Sequence, residues 1–138
     1  MVVLSACQTG ITDFTKAPNE VIGFSGAFMQ AGVPAIISTL WPVEEISTML
    51  LLRRFYQIYW QDNRPPAAIA LQQAQYWLRD ATAQTLMDFC NQVTDSLPAD
   101  KQLKYQLLAD RYESQESDSK PYAHPYYWAG FVFSGAGL

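Results

Sequence analysis

The chain has 138 residues, 49% hydrophobic and 14% aromatic, enough apolar material for the core of one folded domain. Nine basic against 13 acidic residues leave a formal charge of -4, the wrong sign for affinity drawn from phosphate backbones, so nucleic acid is not expected as a partner. Two cysteines, Cys7 and Cys90, with no CxxC pair and one histidine, exclude a disulfide scaffold and a four-ligand zinc site, and neither a metal nor a cofactor is expected. No run of about 18 apolar residues is present and no signal-peptide pattern follows Met1, so the expectation is a soluble, cytoplasmic protein with no membrane partner.

Val2 to Cys7 is a short apolar run stopped by Gln8-Thr9-Gly10, the pattern of a buried parallel strand. Asn19 suits the cap of a helix through Val21, Ile22, Phe24, Phe28 and Met29 to Ala31, with Gly32 at its C-terminus. Val33 to Leu40 reads as a second strand, with Pro34 near its start where a missing ladder N–H is tolerated. Strand, helix, strand makes a βαβ unit with parallel neighbours and a right-handed crossover. Glu44 to Trp60 reads as a helix with two carboxylates in its first turn. After Asn63-Arg64-Pro65-Pro66, the residues Ala67, Ala70, Leu71, Ala74, Trp77 and Leu78 mark one face of a further helix.

Gln84 to Val93 and Ala99 to Tyr112 are also expected to be helical, divided by Ser96-Leu97-Pro98, and the polar stretch Ser114 to Lys120 is expected to be mobile. Tyr126 to Phe133 is aromatic and β-prone and reads as a strand. Residues 80–138 hold four basic and eight acidic side chains, whereas 1–79 hold five of each, so the acidic excess is local. Residues 80–123 are read as a helical and loop excursion on the domain surface. Because the chain opens inside a strand that should be central and buried, the expectation is the C-terminal portion of a larger α/β domain whose other part supplies more parallel strands. An unpaired strand edge near residues 2–6 predicts self-association.

In open α/β sheets functional groups collect beyond the carboxyl ends of the strands. Cys7 stands at such an end, with Gly10 in the loop that follows. A thiolate nucleophile there needs backbone N–H groups for an oxyanion and a base or positive field, whereas a free cysteine that only fills a core is the commoner case. The second strand brings Trp41, Glu44 and Glu45 to the same edge. The two carboxylates either satisfy a helix N-terminus or wall a pocket for a cationic substrate, and one could do each. Cys90 reads as structural, His124 as a partly buried turn histidine, and Tyr126, Tyr127, Trp128, Phe131 and Phe133 as core or sheet-packing residues.

The run Val2-Val3-Leu4-Ser5-Ala6-Cys7-Gln8-Thr9-Gly10, then Val21-Ile22-Gly23 with Ala27-Phe28 and Ala31-Gly32, then Ser38-Thr39-Leu40-Trp41-Pro42-Val43, and finally His124-Pro125-Tyr126-Tyr127-Trp128-Ala129-Gly130-Phe131 resemble the CHAT domain. This is a caspase-like, separase-related cysteine peptidase family often joined to tetratricopeptide repeats. The resemblance implies a three-layer caspase-like fold with a mainly parallel sheet, incomplete in residues 1–138. It implies Cys7 as nucleophile, with Gln8 where the family usually has Glu. It implies Glu45, where the family usually has Asp, as the acid that meets Arg or Lys at P1, with Glu44 a lesser contributor to the same wall. The family's histidine base belongs to the tip of a strand before Val2-Val3-Leu4, and His124 does not match it.

The resulting expectation is the C-terminal part of a cysteine endopeptidase, a hydrolase acting on a protein or peptide substrate and inactive without the histidine-bearing half. An upstream caspase-like half and tetratricopeptide repeats are the implied partners. The alternative is a non-catalytic interaction or regulatory module that keeps the fold, with Gln8 and Glu45 as departures from the catalytic pattern. A redox-sensing thiol at Cys7 is disfavoured, since no resolving cysteine is expected nearby.

Overall fold

The computed structural model describes residues 1–3 and 28–135. Cys7 and most of the helix expected from Asn19 lie outside the described residues. The chain divides into two compact units, one made of Met1–Leu78 with His124–Leu138 and the other of Arg79–Ala123.

The first unit is built on a sheet of β1 (Val2–Val3), β2 (Ala35–Thr39) and β3 (Phe131–Gly135), in that order. β1 and β2 are parallel neighbours, with Val2 opposite Ile36 and Val3 opposite Ile37. β3 returns antiparallel, with Thr39 opposite Phe131 and Ala35 opposite Gly135. The class is α/β, and the sheet among the described strands is mixed where a mainly parallel one was expected. Successive strand residues face opposite sides of a sheet, and all five residues of β2 are buried, so both faces of the sheet are covered there. Ile36 and Ile37 are 0% exposed, and each such side chain contributes about 1.5–3 kcal/mol by leaving water.

Residues 28–30 are helical and close on Gly32, whose φ of 86° is the left-handed conformation an L side chain resists. The Gly32 N–H donates to Met29 O and the Val33 N–H to Phe28 O, both at 3.0 Å. This paired bonding satisfies carbonyls that a helix end otherwise leaves open.

Helix α1 spans Glu45–Tyr59 and buries Ser47, Leu50, Leu51, Phe55 and Ile58, a stripe at helical spacing. The Phe55 and Tyr59 rings stack with centroids 5.6 Å apart. The helix stops at Trp60, whose N–H donates to Tyr56 O at 3.0 Å. Helix α2 spans Ala67–Asp80, directly after Pro65-Pro66, and buries Ala67, Ala70, Leu71, Ala74 and Leu78. Proline fits there because the first N–H groups of a helix have no partner within it. This is the face expected from the sequence, with Trp77 only half-buried.

The second unit contains α3 (Ala83–Ser96), a 3-10 turn at Ala99–Lys101 and α4 (Leu103–Glu113). Pro98 carries ψ 150°, which separates α3 from that turn, so the helix expected from Ala99 starts four residues later. α3 and α4 pack together, burying Leu86, Phe89, Cys90 and Val93 on one and Leu108, Ala109 and Tyr112 on the other. The buried hydroxyls of Tyr112 and Tyr122 share a hydrogen bond of 2.7 Å. Burial first, and then this bond, push Tyr112 above the usual tyrosine range.

The polar stretch Ser114 to Lys120, expected to be mobile, instead takes up turns that cap α3. Ser119 O accepts from Ala83 N at 2.8 Å and Ser117 O from Gln84 N at 3.1 Å, while Thr82 Oγ1 accepts from Thr85 N at 3.2 Å. Backbone carbonyls, which composition does not register, supply this order. The strand expected from Tyr126 begins only at Phe131, because Pro125–Tyr127 forms a 3-10 turn.

Candidate functional site

Parallel pairing directs β1 and β2 toward one edge of the sheet. β2 leaves that edge through Leu40 and Trp41, where the chain bends, and Pro42 to Glu44 lead into α1. Glu44 is the N-cap of α1: its backbone is extended and its Oε2 accepts from Ser47 N at 2.7 Å. Ser47 Oγ returns a bond to Glu44 O at 3.2 Å. Both bonds are donated by Ser47, and the one from its backbone N–H satisfies an open donor of the helix N-terminus in the manner of Ser, Thr or Asp caps. Glu45, the first helical residue, is exposed. One oxygen of Glu44 is committed to its own helix, and Glu45 is an exposed residue in the first turn, where the macrodipole favours negative charge.

Trp41 ties this edge to the last motif of the chain. Its Nε1 donates to Tyr126 O at 3.0 Å, and the Leu40 N–H donates to Gly130 O at 2.9 Å. The indole lies so close over Gly130 that a Cβ there would stand 2.8 Å from Trp41 Cε2. The Leu-Trp-Pro and Tyr-Tyr-Trp-Ala-Gly-Phe runs, 85 residues apart at the Trp41–Tyr126 bond, thus form one structural feature.

His124 is exposed, contrary to the partly buried position expected, and caps the 3-10 turn: its Nδ1 accepts from Tyr126 N at 3.2 Å. A side chain at the start of a turn can satisfy an N–H without being covered. Cys90 is buried, and burial pushes its thiol up to about 11, the signature of an inert packing residue. Phe131 is buried, Tyr127, Trp128 and Phe133 are half-buried, and Tyr126 is 42% exposed.

Gln75 escaped the sequence reading. Its Nε2 donates to Trp128 O at 2.9 Å and to Phe131 O at 3.0 Å, holding the turn on which Trp41 rests. The available signal was a polar residue four positions after Leu71, beside the buried face of α2.

A cleft of about 240 Å³ lies on α1, lined by Arg53, Tyr56, Gln57 and Trp60, with the Arg64 guanidinium 4.3 Å above the Trp60 ring. It occupies the far end of α1, about 16 Å along the axis from Glu45 at 1.5 Å per residue, and is not part of the acidic edge. No helix among the described residues is long and apolar enough to cross a membrane.

No curated protein and no solved structure matches the chain. The CHAT domain family matches residues 1–136, a span that takes in the Ser-Ala-Cys run, the Leu-Trp-Pro run capped by Glu44 and the Gly130 turn beneath Trp41, and the chain belongs to that family.

Proposed function

We propose that the chain is part of a caspase-like cysteine endopeptidase with a three-layer fold, in which Cys7 is the nucleophile and Glu45, flanked by Glu44, receives an Arg or Lys side chain at P1. The family match over residues 1–136 carries the reading. It is supported by the parallel pairing of β1 with β2, by the burial of β2 on both faces, and by the exposure of Glu45 at the edge where β2 ends.

The chemistry is acyl transfer. The Cys7 thiolate attacks the scissile carbonyl, an acid returns a proton to the leaving amine, and water releases the acyl-enzyme. The one histidine of the sequence caps the turn at Tyr126 and is given no part in the chemistry, and the proton-transfer role is assigned to the histidine that the family places before the first strand. A protein or peptide is the substrate, and a second caspase-like segment and tetratricopeptide repeats are the proposed partners. Residues 80–123 are assigned no part in the reaction.

The test is covalent labelling with an arginyl acyloxymethyl ketone, read by intact mass, with and without imidazole as exogenous base. An adduct that needs Cys7, prefers Arg over Asp at P1 and weakens in Glu45→Gln is expected. A folded sample that takes no adduct under either condition, and none when the histidine-bearing segment is supplied, overturns the peptidase reading in favour of a non-catalytic interaction module.

A further inference from the structure

We infer that Gln75 is a positioning residue for the Trp41–Glu45 edge, acting from α2 through the turn at residues 126–131. The inference rests on the reading of that edge as the wall that meets a basic side chain.

A glutamine amide has two N–H donors, and both are spent on one turn, on Trp128 O and Phe131 O. The same turn is gripped from the other side by β2 as it leaves the sheet. Gly130 O, between the two carbonyls held by Gln75, accepts the Leu40 N–H. Tyr126 O accepts the Trp41 indole N–H, and the indole lies against Gly130. Trp41 therefore has its position defined by a turn whose own position is defined by Gln75.

From Trp41 the chain has little freedom before the carboxylates. Pro42 fixes its own φ, and Glu44 is locked by its bonds with Ser47. A shift of the turn is transmitted to Trp41 and on to the first turn of α1. Gln75 is half-buried and its amide reaches the turn, not the acidic edge, so its role is indirect. Carbonyls left without these donors in a half-buried site have a reason to move toward water.

The test is Gln75→Met, which keeps an unbranched stem of similar length and removes both donors. Hydrogen exchange by NMR on the whole chain is expected to show the Leu40 amide and the Trp41 indole N–H exchanging about tenfold faster or more, with the amides of Leu86 to Val93 unchanged. The arginyl probe is expected to bind more weakly before reaction, while its rate constant at saturation is kept. Gln75→Asn, one methylene short, is expected to fall between, and decides the matter if Gln75→Met does not fold. Parent-like exchange at Leu40 and Trp41 overturns the positioning role whatever the probe does. Faster exchange with unchanged, Glu45-dependent probe binding overturns the link to the acidic edge. If Glu45→Gln leaves probe binding unaltered, the reading of the edge itself fails, and the exchange data still report separately on Gln75 and Trp41.

Discussion

Replacing Gly130 by alanine tests the contact that joins the two ends of the candidate site. Gly130 is buried and does not have positive φ, so alanine meets no backbone objection. The obstacle is space: the new Cβ stands 2.8 Å from Trp41 Cε2, 3.0 Å from Nε1 and 3.1 Å from Cζ2. The ring must retreat, and with it the 3.0 Å bond to Tyr126 O. Overpacking of this kind costs about 1–3 kcal/mol, a weakened hydrogen bond about 1 kcal/mol, and the stiffer unfolded chain returns about 0.4–1 kcal/mol. A net loss of about 1–3 kcal/mol corresponds to a fall in Tm of about 4–12 °C for a chain of this size.

All four tryptophans, at positions 41, 60, 77 and 128, belong to the sheet-containing unit, so tryptophan fluorescence in urea follows that unit. Repeating the substitution in a Trp41→Leu background removes the obstructing ring, and there Gly130→Ala is expected to be neutral or stabilising. Gly32→Ala gives a contrasting control: nothing lies within 4 Å of its Cβ, so its cost of about 1–2 kcal/mol is backbone strain alone and is indifferent to Trp41. Equal destabilisation by Gly130→Ala in both backgrounds, or none in the parent, would refute the argument.

The capping of α3 predicts that Thr82→Ala lowers stability by about 1 kcal/mol, measured by urea denaturation followed by circular dichroism. Ser117→Ala and Ser119→Ala should each stay within about 0.5 kcal/mol, because their backbone carbonyls do the capping. Burial raises the Cys90 thiol from 9.0 to about 11, so above pH 9 the unfolded chain loses this proton before the folded chain does. That contribution to stability is whole below pH 9 and declines as pH rises through about 11, and the corresponding slope in the urea midpoint should vanish in Cys90→Ala. In a Cys7→Ala background, Ellman's reagent at pH 8 should find a thiol only after denaturant is added. Tyr112→Phe removes one member of a buried hydroxyl pair and should cost about 1–2 kcal/mol by chemical denaturation.

The local elements were legible in the sequence because each follows from a short-range rule. The face Ala67, Ala70, Leu71, Ala74 and Leu78 is a periodicity, Gly32 is the residue a left-handed helix end requires, and the apolar run Val33 to Leu40 reads as a strand, of which Ala35–Thr39 forms one. The parallel neighbourhood of β1 and β2 followed from the alternation of strand, helix and strand. Four ordered runs, from Val2 to Gly10, from Val21 to Gly32, from Ser38 to Val43 and from His124 to Phe131, pointed to the family without any coordinates.

What the tertiary structure decided depends on partners distant along the chain. Helical pattern left Glu44 and Glu45 equivalent and the family resemblance ranked Glu45 first, but that Glu44 is the cap shows only in the geometry, Oε2 to Ser47 N. The antiparallel return of β3 requires knowing where the chain emerges after Ala123, and no local rule carries that. The turns at Ser114 to Lys120 look disordered by composition because their order comes from backbone carbonyls meeting the open N–H groups of α3. Gln75 and Gly130 are ordinary residues until Trp128, Phe131 and Trp41 are brought against them. A hydrogen bond or a steric contact has no sequence period, so these positions acquire meaning only once folding has set Gln75 Nε2 2.9 Å from Trp128 O and 3.0 Å from Phe131 O and laid the Trp41 indole against Gly130.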